Sequence, residues 1–217
     1  MKNKTLILAS NNQHKIIEVK AILGSDYNIV KQSDYKIKPI PETGLSFKEN
    51  AIIKATGVFE ATGITTIADD SGLVVDALNG EPGVFSARYS GENANDSNNN
   101  AALLKNMAHL NKETRTARFE CVIALIDKEH NNQIHTFRGV WRGIILNAPK
   151  GRNGFGYDPL FFDPVIGKSS AELSDKEKNK VSHRALALTA LNEHITKLKD
   201  WPKASIKYWS LMNLPNL

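Results

Sequence analysis

The chain has 217 residues, 41% hydrophobic and 24% charged, an ordinary globular balance long enough for one large domain or two closely joined lobes, and no apolar run reaches the length of a membrane span. Lys and Arg outnumber Asp and Glu by 28 to 23, a formal +5, without a basic block or an aromatic–basic interleave; any anion site has to be argued locally. The single cysteine, Cys121, excludes an intramolecular disulfide, fits a reducing cytoplasm, and in FECVIAL reads as a buried, inert thiol.

Strand and helix patterns alternate along the chain. TLILAS (5–10) reads as a first buried strand rather than a secretory leader. Asn12 is placed to cap a helix from about Gln13, with Ile16, Val19 and Leu23 on one face and Gly24 at its end. YNIVKQ (27–32) reads as a second strand. Ser46 and Glu49 form a capping box that opens a helix through Phe47, Ala51, Ala55 and Phe59. Two strands, 64–68 and 73–77, flank a sharp corner at Asp69–Gly72. The Asn-rich run 93–100 reads as a loop or helix entry before the helix AALLKNMAHL. TARFECVIALID and QIHTFRGVWRGIIL form a long antiparallel pair joined at KEHNNQ. PKGRNGFGYDP (149–159) is a Gly-rich loop, and Ser182 caps a last long helix. The class is α/β with a mixed sheet, without repeats or a dividing linker.

Five stretches carry candidate chemistry. SNNQHK (Ser10–Lys15) is a strand–turn–helix whose helix-start N–H groups attract anions, and Lys15 in that first turn is better placed beside a phosphate than against the helix dipole. It lacks the glycines of a P-loop, and strand–turn–helix with a lysine is common. Glu42 sits in a loop stiffened by Pro39, Pro41 and Gly44. Asp69 and Asp70 point to opposite sides of an extended chain, and a hard divalent cation relieves their repulsion; a plain Asp-Ser-Gly turn accounts equally well for this stretch alone. Phe155 and Tyr157 offer flat faces to a purine and Asp158 an acceptor, or the two aromatics plug the core. Lys178, His183 and Arg184 place cations near a helix start, while Lys180 reads as solvated.

Together SNNQHK, ETGLSFKENAIIKA, ADDSGLVVDALNGEPGVFSARYSG, PKGRNGFGYDPLFF and AELSDKEKNKVSHRALAL resemble the inosine/xanthosine triphosphate pyrophosphatase family, in order, over residues 4–195. The resemblance implies a two-lobed α/β single domain around a long mixed sheet with a central cleft, spanning 1–198, and gives the 199–217 tail no role. It implies a cytoplasmic homodimer that uses Mg²⁺ to convert a non-standard purine nucleoside triphosphate (ITP, dITP or XTP) into its monophosphate and pyrophosphate. Lys15 and the turn of Ser10, Asn11, Asn12, Gln13 and His14 would hold phosphates. Glu42 and Asp70 would engage the metal, with Asp70 the base for the attacking water. Ser71, Phe155, Gly156, Tyr157, Asp158, Lys178, His183 and Arg184 would line the nucleotide site. The donors of Arg184 suit the 6-oxygen of inosine or xanthosine better than the 6-amino group of adenosine. Asn11 and His14 stand where the family has glycine, and Pro41 where some members carry a second acid. The competing readings are a pyrophosphatase for modified pyrimidine triphosphates and a nucleic-acid-binding module; the second leaves Glu42, Asp69 and Asp70 without a purpose.

Overall fold

The computed structural model describes residues 4–24 and 27–200; most of the tail set apart above, 201–217, lies outside them. Strands β1 (Lys4–Leu8), β2 (Tyr27–Lys31), β3 (Thr66–Val75), β4 (Thr116–Asp127), β5 (Gln133–Ile145), β6 (Phe161–Asp163) and β7 (Lys168–Ser169) form one mixed sheet in the order β2-β1-β3-β4-β5-β6-β7. The β2-β1-β3 part is parallel and the rest antiparallel. The helices are α1 (Gln13–Leu23), α2 (Phe47–Thr62), α3 (Asp96–Asn106), α4 (Asp175–Val181) and α5 (His183–Asp200). Among the described residues no helix is long and apolar enough to cross a membrane.

Local signals place most of these elements. Asn12 Oδ1 accepts from the His14 and Lys15 N–H groups and starts α1. Ser46 Oγ accepts from Glu49 N at the start of α2, while the Glu49 carboxylate accepts from Leu45 N, one residue ahead of the expected capping-box partner. Asn95 caps α3, so helix begins inside the Asn-rich run. The short α4 has no apolar stripe for sequence to reveal; Ser174 and Glu177 hold its start reciprocally.

One expectation is overturned. The corner between 64–68 and 73–77 does not exist: β3 runs straight through Asp69, Asp70, Ser71 and Gly72. The cause is tertiary. Twelve-residue β4 supplies an unbroken partner, with Asp69 opposite Ile123 and Gly72 opposite Glu120. Gly72 serves close packing rather than a turn, since a Cβ there would lie 2.3 Å from Ser86 Oγ and 2.5 Å from Gly83 O. The two carboxylates therefore stand in mid-strand.

Alternation along β3 then divides the molecule. On one face Ile67 belongs to a core with Leu8, Val19, Ile123, Leu125 and Leu188, under α1 and α5. Farther along that face, Leu73 and Val75 belong to a second core with Phe119, Trp141, Leu160 and Phe161. Asp69 and Ser71 fall between the two. On the opposite face Ala68 and Val74 pack with Ala51, Ala55 and Val58 of α2, and Asp70 interrupts them. A polar belt thus crosses the middle of the sheet. Helix α5 starts on this belt because Gly139 of β5 lets it: a Cβ at 139 would lie 1.9 Å from His183 O. Cys121 is fully buried beside the belt, and burial first, then Asp69, pushes its thiol up to about 12, as an inert thiol requires.

Candidate active site

The belt opens into a cavity of about 410 Å³. Of the residues singled out in the sequence, Ser10, Asn11, Asn12, Lys15, Glu42, Asp70, Ser71 and the loop and helix residues Phe155–Asp158, Lys178, His183 and Arg184 all line it. Gln13 and His14 do not; both are exposed on the first turn of α1.

Asp70 faces α2. Its Oδ2 accepts from Asn50 Nδ2 at 3.1 Å, and its Oδ1 lies 3.3 Å from Lys54 Nζ. The same ammonium lies 2.6 Å from Glu42 Oε1, so carboxylates from two distant segments converge on one cationic point. Asn50 Oδ1 in turn accepts from Gly44 N, tying the Pro-rich Glu42 loop to the same place. Burial first, and the Glu42 charge, raise the Asp70 carboxyl above the usual carboxylate range against the pull of Lys54. Burial opposes the charge on Lys54, but Asp69, Asp70 and Glu42 outweigh it and hold that ammonium more firmly protonated than usual.

Asp69 faces the other way. Its Oδ2 lies 2.9 Å from Lys15 Nζ and accepts from Arg184 Nε at 3.1 Å. Burial would raise this carboxyl; Lys15, Arg184 and Lys54 overcome burial and keep it well below its ordinary value. Lys15 is thus engaged by Asp69, not by the Glu42–Asp70 pair. Arg184 also donates to Glu18 and, from its third nitrogen, to Ser71 Oγ at 2.8 Å. This leaves one N–H on each terminal nitrogen for anything else.

The Gly-rich loop is held by side chains. Asp158 accepts from Ser170 Oγ (2.7 Å), Phe155 N (2.8 Å) and Lys178 Nζ (2.5 Å). Asp96 and Asn100 of α3 bind the N–H and C=O of Gly156. Tyr157 is a core residue: it packs among Leu73, Phe119 and Trp141, and its hydroxyl donates to Ser86 O. Of the two aromatics, only Phe155 is half-buried with ring contacts at the cavity. His183 stacks on Phe119 with centroids 4.8 Å apart, and its Nδ1 is buried without a partner. Burial, then Arg184 and Lys178, keep its pKa well below the ordinary value, so it is neutral at pH 7.

This geometry has counterparts. The family model describing the Ham1 family matches residues 6–194. The chain belongs to the Ham1 family. It is 47% identical over 192 residues to a dITP/XTP pyrophosphatase of Geobacter sulfurreducens, covering 88% of this chain and 96% of the relative. It is 45% identical over 196 residues to one of Xanthomonas campestris, covering 90% and 98%. A solved HAM1 protein from Coxiella burnetii superposes with TM-score 0.83 at 42% identity over 89% of this chain and 99% of that one. The Staphylococcus aureus Ham1 protein gives 0.82 at 40%, with the same coverages.

In this Ham1 family chain the sequence reading missed Asn50, Lys54, Glu18 and Asp96. Asn50 and Lys54 carried a signal: both lie on the α2 stripe of Phe47, Ala51, Ala55 and Val58, and a polar side chain on a core-facing stripe needs a buried partner. The cavity lining carries four basic side chains, Lys15, Lys54, Lys178 and Arg184, and four acidic ones, Glu42, Asp70, Asp96 and Asp158, with Asp69 and Glu18 behind it on Lys15 and Arg184. It is therefore formally neutral before any ligand enters. Among the described residues no group of three or more His, Cys, Asp or Glu side chains is arranged to hold a metal. Glu42 and Asp70 are the lining carboxylates that converge on one point, each within 3.3 Å of Lys54 Nζ, and two carboxylates are a donor pair that a hard divalent cation accepts.

Proposed function

We propose that this chain hydrolyses ITP, dITP and XTP to the nucleoside monophosphate and pyrophosphate with Mg²⁺, as a cytoplasmic homodimer whose hydrolase unit is residues 1–198. The names of the relatives support the activity and substrate class. The observation that carries the site reading is the convergence of Glu42 and Asp70 on one point, in the cavity that also holds Lys15. A neutral lining cannot by itself balance a triphosphate, so the substrate has to arrive with positive charge of its own.

Mg²⁺, when bound by Glu42 and Asp70, supplies charge neutralisation for the phosphate oxygens. Lys54, seated between those carboxylates, and Lys15, swinging from Asp69, are the ammonium groups within reach of the phosphates. Asp70 accepts the proton of the attacking water as oxygen bonds to phosphorus and the bond between the α and β phosphates breaks. Asn50 and Lys54 hold its two oxygens in fixed directions, and before the metal binds its proton affinity stands above that of an ordinary carboxylate. The spare N–H groups of Arg184, a group with donors only, face the base end, where a 6-oxygen accepts and a 6-amino group does not.

The test is a panel of nucleoside triphosphates with Mg²⁺, scored for pyrophosphate. ITP, dITP and XTP should turn over at least about 100-fold more efficiently than ATP. Equal rates for ATP, preference for a modified pyrimidine, or no pyrophosphate from any of them would overturn the reading. A nucleic-acid module finds no support in the formally neutral cavity.

A further inference from the structure

Phe155 is the half-buried aromatic at the cavity; its backbone gives its ring little fixed direction, and the ring is held by what touches it: Lys178 and Arg184 from the cavity and one further ring. Phe155 stands between Gly154 and Gly156, both at positive φ (78° and 62°), the most permissive setting a side chain can have. Its main-chain N–H is anchored to Asp158, but that bond does not orient the ring. The ring meets the imidazole of His14, with centroids 5.0 Å apart and planes inclined by 20°. His14 belongs to the first turn of α1, whose backbone is set by the Asn12 cap. Phe155, Lys178 and Arg184 line the cavity while His14 does not. The imidazole therefore packs against Phe155 from outside the cavity, at its solvent-exposed edge.

We propose that His14 is a positioning residue: its ring backs Phe155, and so fixes the aromatic wall on which the purine base stacks. This rests on the nucleotide reading above and deepens it, because it replaces a phosphate contact for His14 by a contact with the base wall. It also joins the two ends of the nucleotide site, since the turn beside the phosphates and the loop beside the base touch through these two rings. A base stacked on Phe155 has no room between the rings as they stand. Two stacking distances of about 3.5 Å need about 7 Å, against the 5.0 Å present. The cavity-lining Lys178 and Arg184 also lie over the ring, at 4.9 and 5.9 Å from its centroid, so the base takes the cavity side in place of the Lys178 ammonium, and His14 acts only through Phe155.

The experiment is a His14 series measured for KM and kcat with ITP, and for Kd of IMP by calorimetry, which needs no turnover. His14→Ala should raise KM and Kd by about three- to tenfold, the worth of one aromatic pair, with kcat nearly unchanged. His14→Phe should restore both, and His14→Lys should not. In a Phe155→Leu background His14→Ala should change nothing further. Unchanged or tighter binding in His14→Ala, rescue by Lys instead of Phe, or an equal loss in the Phe155→Leu background would overturn the proposal. If the wild type bound IMP but released no pyrophosphate, the hydrolase reading would fail while the binding series still judged His14.

Discussion

Asp69 and Asp70 are adjacent, chemically identical and almost equally buried, at 2% and 6% exposure, yet their proton affinities move in opposite directions. Burial pushes both up. Asp69 has two cations beside it, Lys15 and the Arg184 that it shares with Glu18, and is driven down; Asp70 shares the single Lys54 with Glu42 and stays raised. One is a fixed anion that holds two cations, and the other is a carboxylate able to take a proton. Asp70→Asn should therefore reduce pyrophosphate release by at least about 1,000-fold while leaving the circular dichroism spectrum and the melting transition close to wild type. In the wild type the acid limb of kcat/KM, which reports the free enzyme, should lie above the ordinary carboxylate range near pH 4, because Asp70 must be deprotonated to act. A variant with near-normal turnover, or an acid limb at or below that range, would remove Asp70 from the mechanism.

At the scale of elements, α1, α2, α5 and the β4–β5 hairpin were legible because their signals are local, and α4 was not, having no apolar stripe. Asn12, Ser46 and Ser182 cap where they stand, and the long alternating runs of β4 and β5 pair as read. The middle of β3 was not legible, because Asp-Asp-Ser-Gly has turn chemistry and only β4 and the Gly83–Arg88 turn, both remote in sequence, keep it extended. The site divided along the same line. Lys15, Glu42, Asp70 and Arg184 stand out by residue type at loop ends and helix starts. Glu18 looks like solvated helix surface until the fold supplies Arg184, whereas Lys54 could have been found from its place on the core-facing stripe of α2. The start of α5 carries a testable cost. His183 is buried and neutral when folded, but takes a proton in the unfolded chain below about pH 6.5. The unfolded state then binds more protons, so stability falls as pH drops. Denaturant melts from pH 7 to 5 should show His183→Gln losing less stability than wild type, by up to about 1.4 kcal/mol per pH unit. Parallel slopes would mean that His183 carries a proton in the fold.

For the molecule as a whole, two apolar cores lie on either side of a charged belt, and the belt holds itself together through ion pairs: Lys54 already satisfies Glu42 and Asp70. On the proposed reading a divalent ion thus serves the substrate rather than folding. Chelation with EDTA should abolish pyrophosphate release, restored by added Mg²⁺, and should leave the melting temperature unchanged. A chelator-dependent drop in melting temperature would instead make the ion a structural part of the fold.

Because neighbours in β3 serve opposite sides of the sheet, their duties depend on parity. A single residue inserted between Thr66 and Asp69 would turn both aspartates to the opposite faces, moving Asp69 into the slot that faces Lys54 and Asp70 into the Ser71 slot beside Arg184. Loops at either end of the molecule can lengthen at little cost, but this one segment tolerates no change of count.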